Sequence, residues 1–150
     1  MPEEKYQLIV ARNYTEEQMR EIWHNEYVSQ HIDTHDGIRV KFYDDNFDHA
    51  FFESSGRNVS KNSAFHKDVL SYQRLSRIHW IREVLEDPYA EMYVGYDSKK
   101  KSYNRSSRVS VVKGNYVVVI QIYRERMARF ITAYVANNSI GKIKQSPKWK

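Results

Sequence analysis

The chain has no cysteine, which removes disulfides, iron–sulfur clusters, thiolate zinc sites and a cysteine nucleophile. Glycine is scarce, at five residues in 150, and they form neither a P-loop nor a dinucleotide-binding fingerprint. No apolar run approaches the roughly eighteen residues that a transmembrane helix needs. The first residues, Met1 to Lys5, lack the basic-then-apolar pattern of an export signal. These absences point to a cytoplasmic chain with no membrane partner, and the length suits one domain over residues 1–150.

What is present is charge, unevenly spread. Residues 98–150 hold thirteen Lys or Arg and one acid, Glu125, a net of +12. Residues 1–97 hold eleven Lys or Arg and eighteen acids, a net of −7. A basic back half behind an acidic front half is the electrostatic footprint of a polyanion-binding chain. The plainer reading is a charged surface whose two halves face each other.

The order of elements is readable from period and punctuation. A strand is expected at Tyr6–Ala11. Thr15 with Gln18 three residues on is a capping box, and Met19, Ile22, Trp23 and Tyr27 follow at helical spacing, which predicts a helix over 16–29. Residues 31–37 read as a loop. Ile38–Tyr43 alternates like a strand, and Asp44 is placed to cap a short helix carrying Phe47, Ala50 and Phe51. Ser54–Ser63 is polar and reads as mobile. Leu75, Ile78, Ile81 and Leu85 predict one helix over 67–86, flanked by Arg74 and Arg77 and stopped before Pro88. After Pro88 the period becomes extended. Gly114-Asn115 is a two-residue hairpin signal between Arg108–Lys113 and Tyr116–Tyr123, and Ala128–Val135 gives the last strand. Residues 137–150 read as a ragged basic tail. The expectation is an α+β domain with N-terminal helices on one face of a four-stranded antiparallel sheet.

A two-residue hairpin loop sets Lys113 opposite Tyr116, Ser110 opposite Val119 and Arg108 opposite Gln121. A four-residue loop over Arg124–Met127 would then set Gln121 opposite Phe130, Val119 opposite Thr132 and Val117 opposite Tyr134. Alternation separates two faces. One carries Val109, Val111, Val118, Ile120, Ile122, Ile131 and Ala133 and belongs against the helices. The other carries Arg108, Ser110, Gln121, Phe130, Thr132 and Tyr134, a mixture of charge, hydroxyl and ring that suits RNA as well as it suits a wet sheet face.

The stretch from Arg74 through Arg77 and Trp80 to Pro88 leads to Glu91 and Tyr93. Further on come Tyr116-Val-Val-Val-Ile120 and Phe130-Ile-Thr-Ala-Tyr134, with Phe47-Asp-His49-Ala-Phe51 upstream. This order resembles the phage-associated nucleases of the barnase–EndoU–colicin–RelE-like superfamily and the contact-dependent toxin domains of that fold. The similarity covers roughly residues 38–136 and leaves 1–37 as a helical extension outside the family pattern. The resemblance implies a toxin-like, metal-independent endoribonuclease of mobile elements or phage, with no cofactor. Such an enzyme activates the ribose 2′-hydroxyl for attack on the adjacent phosphate and leaves a 2′,3′-cyclic phosphate. It implies RNA as partner, tRNA among the candidates, and an immunity or antitoxin protein as restraint.

That chemistry needs an acid, a base and cations on the phosphate. His49 is the acid–base candidate because imidazole titrates near neutrality. Arg77, with Arg74 beside it, and Arg108 are the phosphate cations. Thr132 and Tyr134 complete the catalytic set. Ser110 is a weaker hydroxyl, and Gln121 is placed to read a base edge. Lys99, Lys100, Lys101 and Arg105 form a substrate-guiding loop. His24, His31 and His35 with Asp33 and Asp36 could be written as a metal cluster, but Gly37 and the surrounding run argue for a loop, and no metal is expected. Two other readings compete: a noncatalytic RNA- or DNA-binding module on the same face, and a protein-interaction domain that uses the twelve tyrosines.

Overall fold

The computed structural model describes residues 5–53, 69–97, 102–103 and 108–149. The capping box is formed: Gln18 N–H donates to Thr15 Oγ1 at 3.0 Å and Thr15 N–H donates to Gln18 Oε1 at 2.8 Å. It opens α1 (Glu16–Trp23), which widens into a π-helical turn over His24–Val28, so the helix expected over 16–29 is present with looser winding at its end. Its stripe of Met19, Trp23 and Tyr27 is fully buried. The strand expected at Tyr6–Ala11 is absent. That segment lies as a strap along the later helices, with Ile9 N–H on Ser76 O and Trp80 Nε1–H on Gln7 O, and ends in a 3-10 turn, Ala11–Asn13.

Two short strands follow, β1 (Ile32–Asp33) and β2 (Arg39–Lys41), joined through Gly37 at φ +91. Then come α2 (Asn46–Phe51), β3 (Phe52–Glu53) paired with β4 (Val69–Leu70), α3 (Tyr72–Leu75) and α4 (Trp80–Glu86). The single helix expected over 67–86 therefore starts later and is split in two. Ser71 is extended and caps α3 through Arg74 N–H. The buried Tyr27 hydroxyl then inserts between Ile78 and Arg82, donating to the Ile78 carbonyl and accepting from Arg82 N–H at 3.1 Å. These are the two groups that a continuous helix would pair with each other, so the phenol breaks the ladder while satisfying both ends. The apolar stripe survives the break: Leu75, Ile78, Ile81 and Leu85 are all fully buried.

The remaining strands are β5 (Glu91–Val94), β6 (Tyr96–Asp97), β7 (Ser102–Tyr103), β8 (Arg108–Lys113), β9 (Tyr116–Arg124) and β10 (Met127–Val135). The main sheet has six strands in the order β1-β2-β10-β9-β8-β5, with β2 and β10 parallel and the other pairs antiparallel. The α+β class holds, but the sheet is mixed and six-stranded rather than a four-stranded antiparallel one. Of the two extra strands, β2 lies inside the strand expected over Ile38–Tyr43, and β1, two residues long, falls in the stretch expected to be a loop. No described helix is long and apolar enough to cross a membrane.

The β8–β9 hairpin has the expected register, and Gly114 takes the positive φ, +62, that a two-residue loop needs at its first position. The next turn is shorter than the expected four-residue loop: Glu125-Arg126, with Arg126 at φ +59. The pairing then shifts at Met127/Ala128 and again at Phe130/Thr132. Thr132 faces Val119 and Tyr134 faces Val117, as expected, but Phe130 faces Ile120 and Gln121 faces Arg129. The first shift puts Phe130 on the core side, and the extra residue at Ile131 is a β-bulge that restores Thr132 to its expected face, so that the expected faces of Phe130 and Ile131 are exchanged. Phe130 enters the core, stacked on Phe42 at 5.1 Å and 5.5 Å from Trp23.

Residues 137–149 are not ragged. They form α5 (Ile140–Lys144), whose Ile140 and Ile143 pack on Val112, Val117 and Val119 across the second sheet face. The chain then runs beside β5, with Val94 N–H on Pro147 O and Trp149 N–H on Met92 O. The second face is thus half covered, and three of its positions are buried valines rather than a wet surface.

The pairing with Ile120 makes Phe130 a core residue. Phe130→Ala is expected to cost about 3–5 kcal/mol in urea unfolding; a loss under about 1 kcal/mol, typical of an exposed strand position, would return Phe130 to the other face.

Candidate functional site

A cavity of about 480 Å³ lies between the second sheet face and α5. The sheet supplies Arg108 and Ser110 from β8 and Ile131, Thr132 and Tyr134 from β10. Strand register explains their meeting: Ser110 and Thr132 both pair with Val119, which lies between them in β9. The bulge turns Ile131 to the same side as Thr132, so both line the cavity. His49 joins the lining from the last turn of α2, a helix docked by the buried rings of Phe47 and Phe51.

Arg108 is held on three sides. Its Nε–H donates to Gln121 Oε1 at 3.1 Å. Its backbone oxygen accepts from Gly95 N–H at 2.8 Å. Its stem crosses Gly95 so closely that a Cβ there would sit 2.4 Å from Arg108 Cγ. Gln121, expected to read a base edge, instead orients this guanidinium and does not line the cavity.

Burial raises the Tyr134 phenol above its ordinary pKa, and the nearby positive charge of Arg74 partly offsets the rise. At neutral pH the phenol is therefore a proton donor. Arg74 does not line the cavity but stands behind it, and its Nη1 donates to Ala50 O at 3.3 Å, next to His49. Arg77 is not brought to the cavity. The turn between α3 and α4 lays its guanidinium over the Trp80 ring at 5.0 Å, with Nη1 donating to Gln73 O. Lys99, Lys100, Lys101 and Arg105 lie outside the described residues.

Seven lining residues are not among the sequence candidates: Val94, Gly95, Val119, Ile131, Lys142, Ile143 and Ser146. The signal that could have found α5 is the Ile140 and Ile143 pair, three apart in a basic run. Arg108 and Lys142 give the lining two cations, and no carboxylate is among its described residues. The outer side of the C-terminal segment is fixed by one carboxylate. Glu91 accepts from the Tyr93 hydroxyl at 2.9 Å and faces Lys148 Nζ at 3.3 Å and Lys144 Nζ at 4.0 Å. The Tyr93 hydrogen bond, then Lys148, hold the Glu91 carboxyl below the usual carboxylate range.

His24 and His31 each have a local polar partner. His24 Nδ1 is 2.9 Å from Asp44, and His31 meets the Arg39 guanidinium. No group of three or more His, Cys, Asp or Glu among the described residues is arranged to hold a metal ion. Fold and site together define an α+β chain with a cation-lined cavity on one sheet face. No family model, curated protein or solved structure matches it.

Two expectations follow from the geometry. Gly95→Ala overpacks against Arg108 and is expected to cost about 1–3 kcal/mol, most of it recovered in an Arg108→Ala background; equal costs in both backgrounds would show that the close approach is not what matters. Because the folded pKa of Glu91 is depressed, its pairing is complete above the ordinary carboxylate pKa of about 4.3 and fades as pH falls through the lower folded value. Tryptic cutting at Lys142, Lys144 and Lys148 should therefore be slow at neutral pH and faster in Glu91→Gln, whereas unchanged cutting would mean that Glu91 does not hold the segment.

Proposed function

We propose that this chain is a metal-independent endoribonuclease that cleaves RNA by attack of a ribose 2′-hydroxyl. The observation that carries the reading is convergence. His49, Arg108, Thr132 and Tyr134, chosen from strand register and from a resemblance to toxin-type nucleases, line one cavity together with Ser110. They come from three elements separated by up to 85 positions in sequence, so chain proximity does not explain their meeting.

Each group is given a role that its side-chain chemistry allows. His49 takes the proton of the 2′-hydroxyl, and the freed oxygen attacks the adjacent phosphorus in line. Arg108, oriented by Gln121 and Gly95, faces the charge that grows on the phosphoryl oxygens. The hydroxyls of Thr132 and Ser110 donate to the same oxygens. The bond from phosphorus to the 5′-oxygen breaks, and the Tyr134 phenol gives that oxygen its proton, with Arg74 close enough to steady the phenolate. The products are a 2′,3′-cyclic phosphate and a 5′-hydroxyl. Tyr134 then regains a proton from water as His49 releases one. Arg77 takes no part, since it packs on Trp80.

The same cationic cavity supports a second reading, capture of RNA or DNA without chemistry, in which binding falls steeply with salt and the strand stays whole. The two part on one experiment. Purified protein is incubated with total RNA and a defined tRNA in EDTA, followed by end-group analysis. The nuclease reading expects discrete fragments with cyclic phosphate ends. His49→Ala is expected to lower the rate by about 10²–10⁴-fold with RNA binding retained, and Thr132→Ala to lower it as well. Intact RNA at high protein concentration overturns the nuclease reading in favour of the second.

A further inference from the structure

We propose that the cavity is a seat for a single nucleotide, its sugar and base on the apolar walls and its phosphate between Arg108 and Lys142, so that the C-terminal segment supplies half of the binding site. This rests on the RNA-cleaving reading and names its substrate class: a strand that can offer one unstacked nucleotide.

Size comes first. At about 480 Å³ the cavity falls within the range of about 300–1,000 Å³ typical of small-ligand clefts. One nucleotide with water fits that space, and two stacked nucleotides do not. The lining is divided in the way a nucleotide is. Val94, Val119, Ile131 and Ile143 give apolar surface from the sheet and from α5. Arg108 and Lys142 give positive charge from the sheet side and the α5 side. No lining carboxylate among the described residues competes with an anion there.

Charge placement on the C-terminal segment singles out Lys142. Lys144 and Lys148 both turn outward to Glu91, whereas Lys142 lines the cavity. The segment thus spends two cations on its own anchorage and presents the third to the ligand. Its placement is fixed by backbone bonds from Val94 to Pro147 and from Trp149 to Met92, so Lys142 sits on a held wall rather than a trailing end. A wall on both sides also excludes a base that is still paired within a duplex, and RNA proteins reach single bases by taking them from unpaired strands. The expected preference is for loops and single strands.

The test uses the full chain and calorimetric titration with the four nucleoside 3′-monophosphates, the matching nucleosides, and inorganic phosphate. At least one nucleotide is expected to bind about tenfold or more tighter than both its nucleoside and phosphate, since one charge-assisted contact is worth about a factor of ten or more. Lys142→Ala, an exposed position that should not disturb folding, is expected to lower nucleotide affinity about tenfold and leave nucleoside affinity unchanged. Equal affinity for phosphate and every nucleotide, or no effect of Lys142→Ala, overturns the seat. Failures of the two readings look different. Tight nucleotide binding beside RNA that stays intact overturns cleavage and keeps the seat. RNA cleavage that no mononucleotide inhibits and Lys142→Ala does not slow overturns the seat and keeps cleavage.

Discussion

The structure depends on two opposed register shifts between its last two long strands. The shift at Met127/Ala128 sets Phe130 opposite Ile120, on the core side, and the bulge at Ile131 then returns Thr132 to Val119 and the cavity side. Phe130 thus drops onto Phe42 and Trp23, where the rings of α1, the β2 region and β10 lock together. Downstream of the bulge the alternation resumes, so Thr132 and Tyr134 point away from that core. The aromatic core and the cavity thus follow from two shifts that cancel. A change that removed the bulge would cost stability and empty the site together.

The second constraint is the Tyr27 hydroxyl. It replaces one hydrogen bond of a helix ladder and so divides α3 from α4. The division lets α3 lean on α2, where Arg74 reaches Ala50 and influences Tyr134, while the turn carries Arg77 away to Trp80. Two arginines three residues apart, alike in sequence, therefore end in different surroundings.

Much of this was legible and some was not, for physical reasons. The capping box at Thr15, the buried stripe from Leu75 to Leu85 and the hairpin at Gly114 are local patterns, and local patterns survive folding. Arg108 and Ser110 could be placed on one face because that hairpin fixes their register, whereas Thr132 keeps its expected partner only because the two shifts after the shorter turn cancel. The bulge could not be read, because its energy lies in where Phe130 packs and not in the residues around it. The same holds for the break at Tyr27, made by a side chain about fifty positions from the helix it enters. In the C-terminal segment composition hides pattern: its lysines read as a solvated tail, while Ile140 and Ile143 are spaced to cover a sheet. Gly95 and Lys142 carry no signature of their own and gain meaning only beside Arg108.

On the proposed reading the attacking group is the RNA's own 2′-hydroxyl, activated in this cavity. The most direct measurement uses one oligoribonucleotide that the protein cuts at a mapped bond, and its twin with a single 2′-deoxy sugar on the 5′ side of that bond. The account predicts that the twin is bound as well as the parent and is left uncut at that bond alone. Cutting at the deoxy position would require water as the nucleophile and would contradict it, as would a parent strand that is never cut.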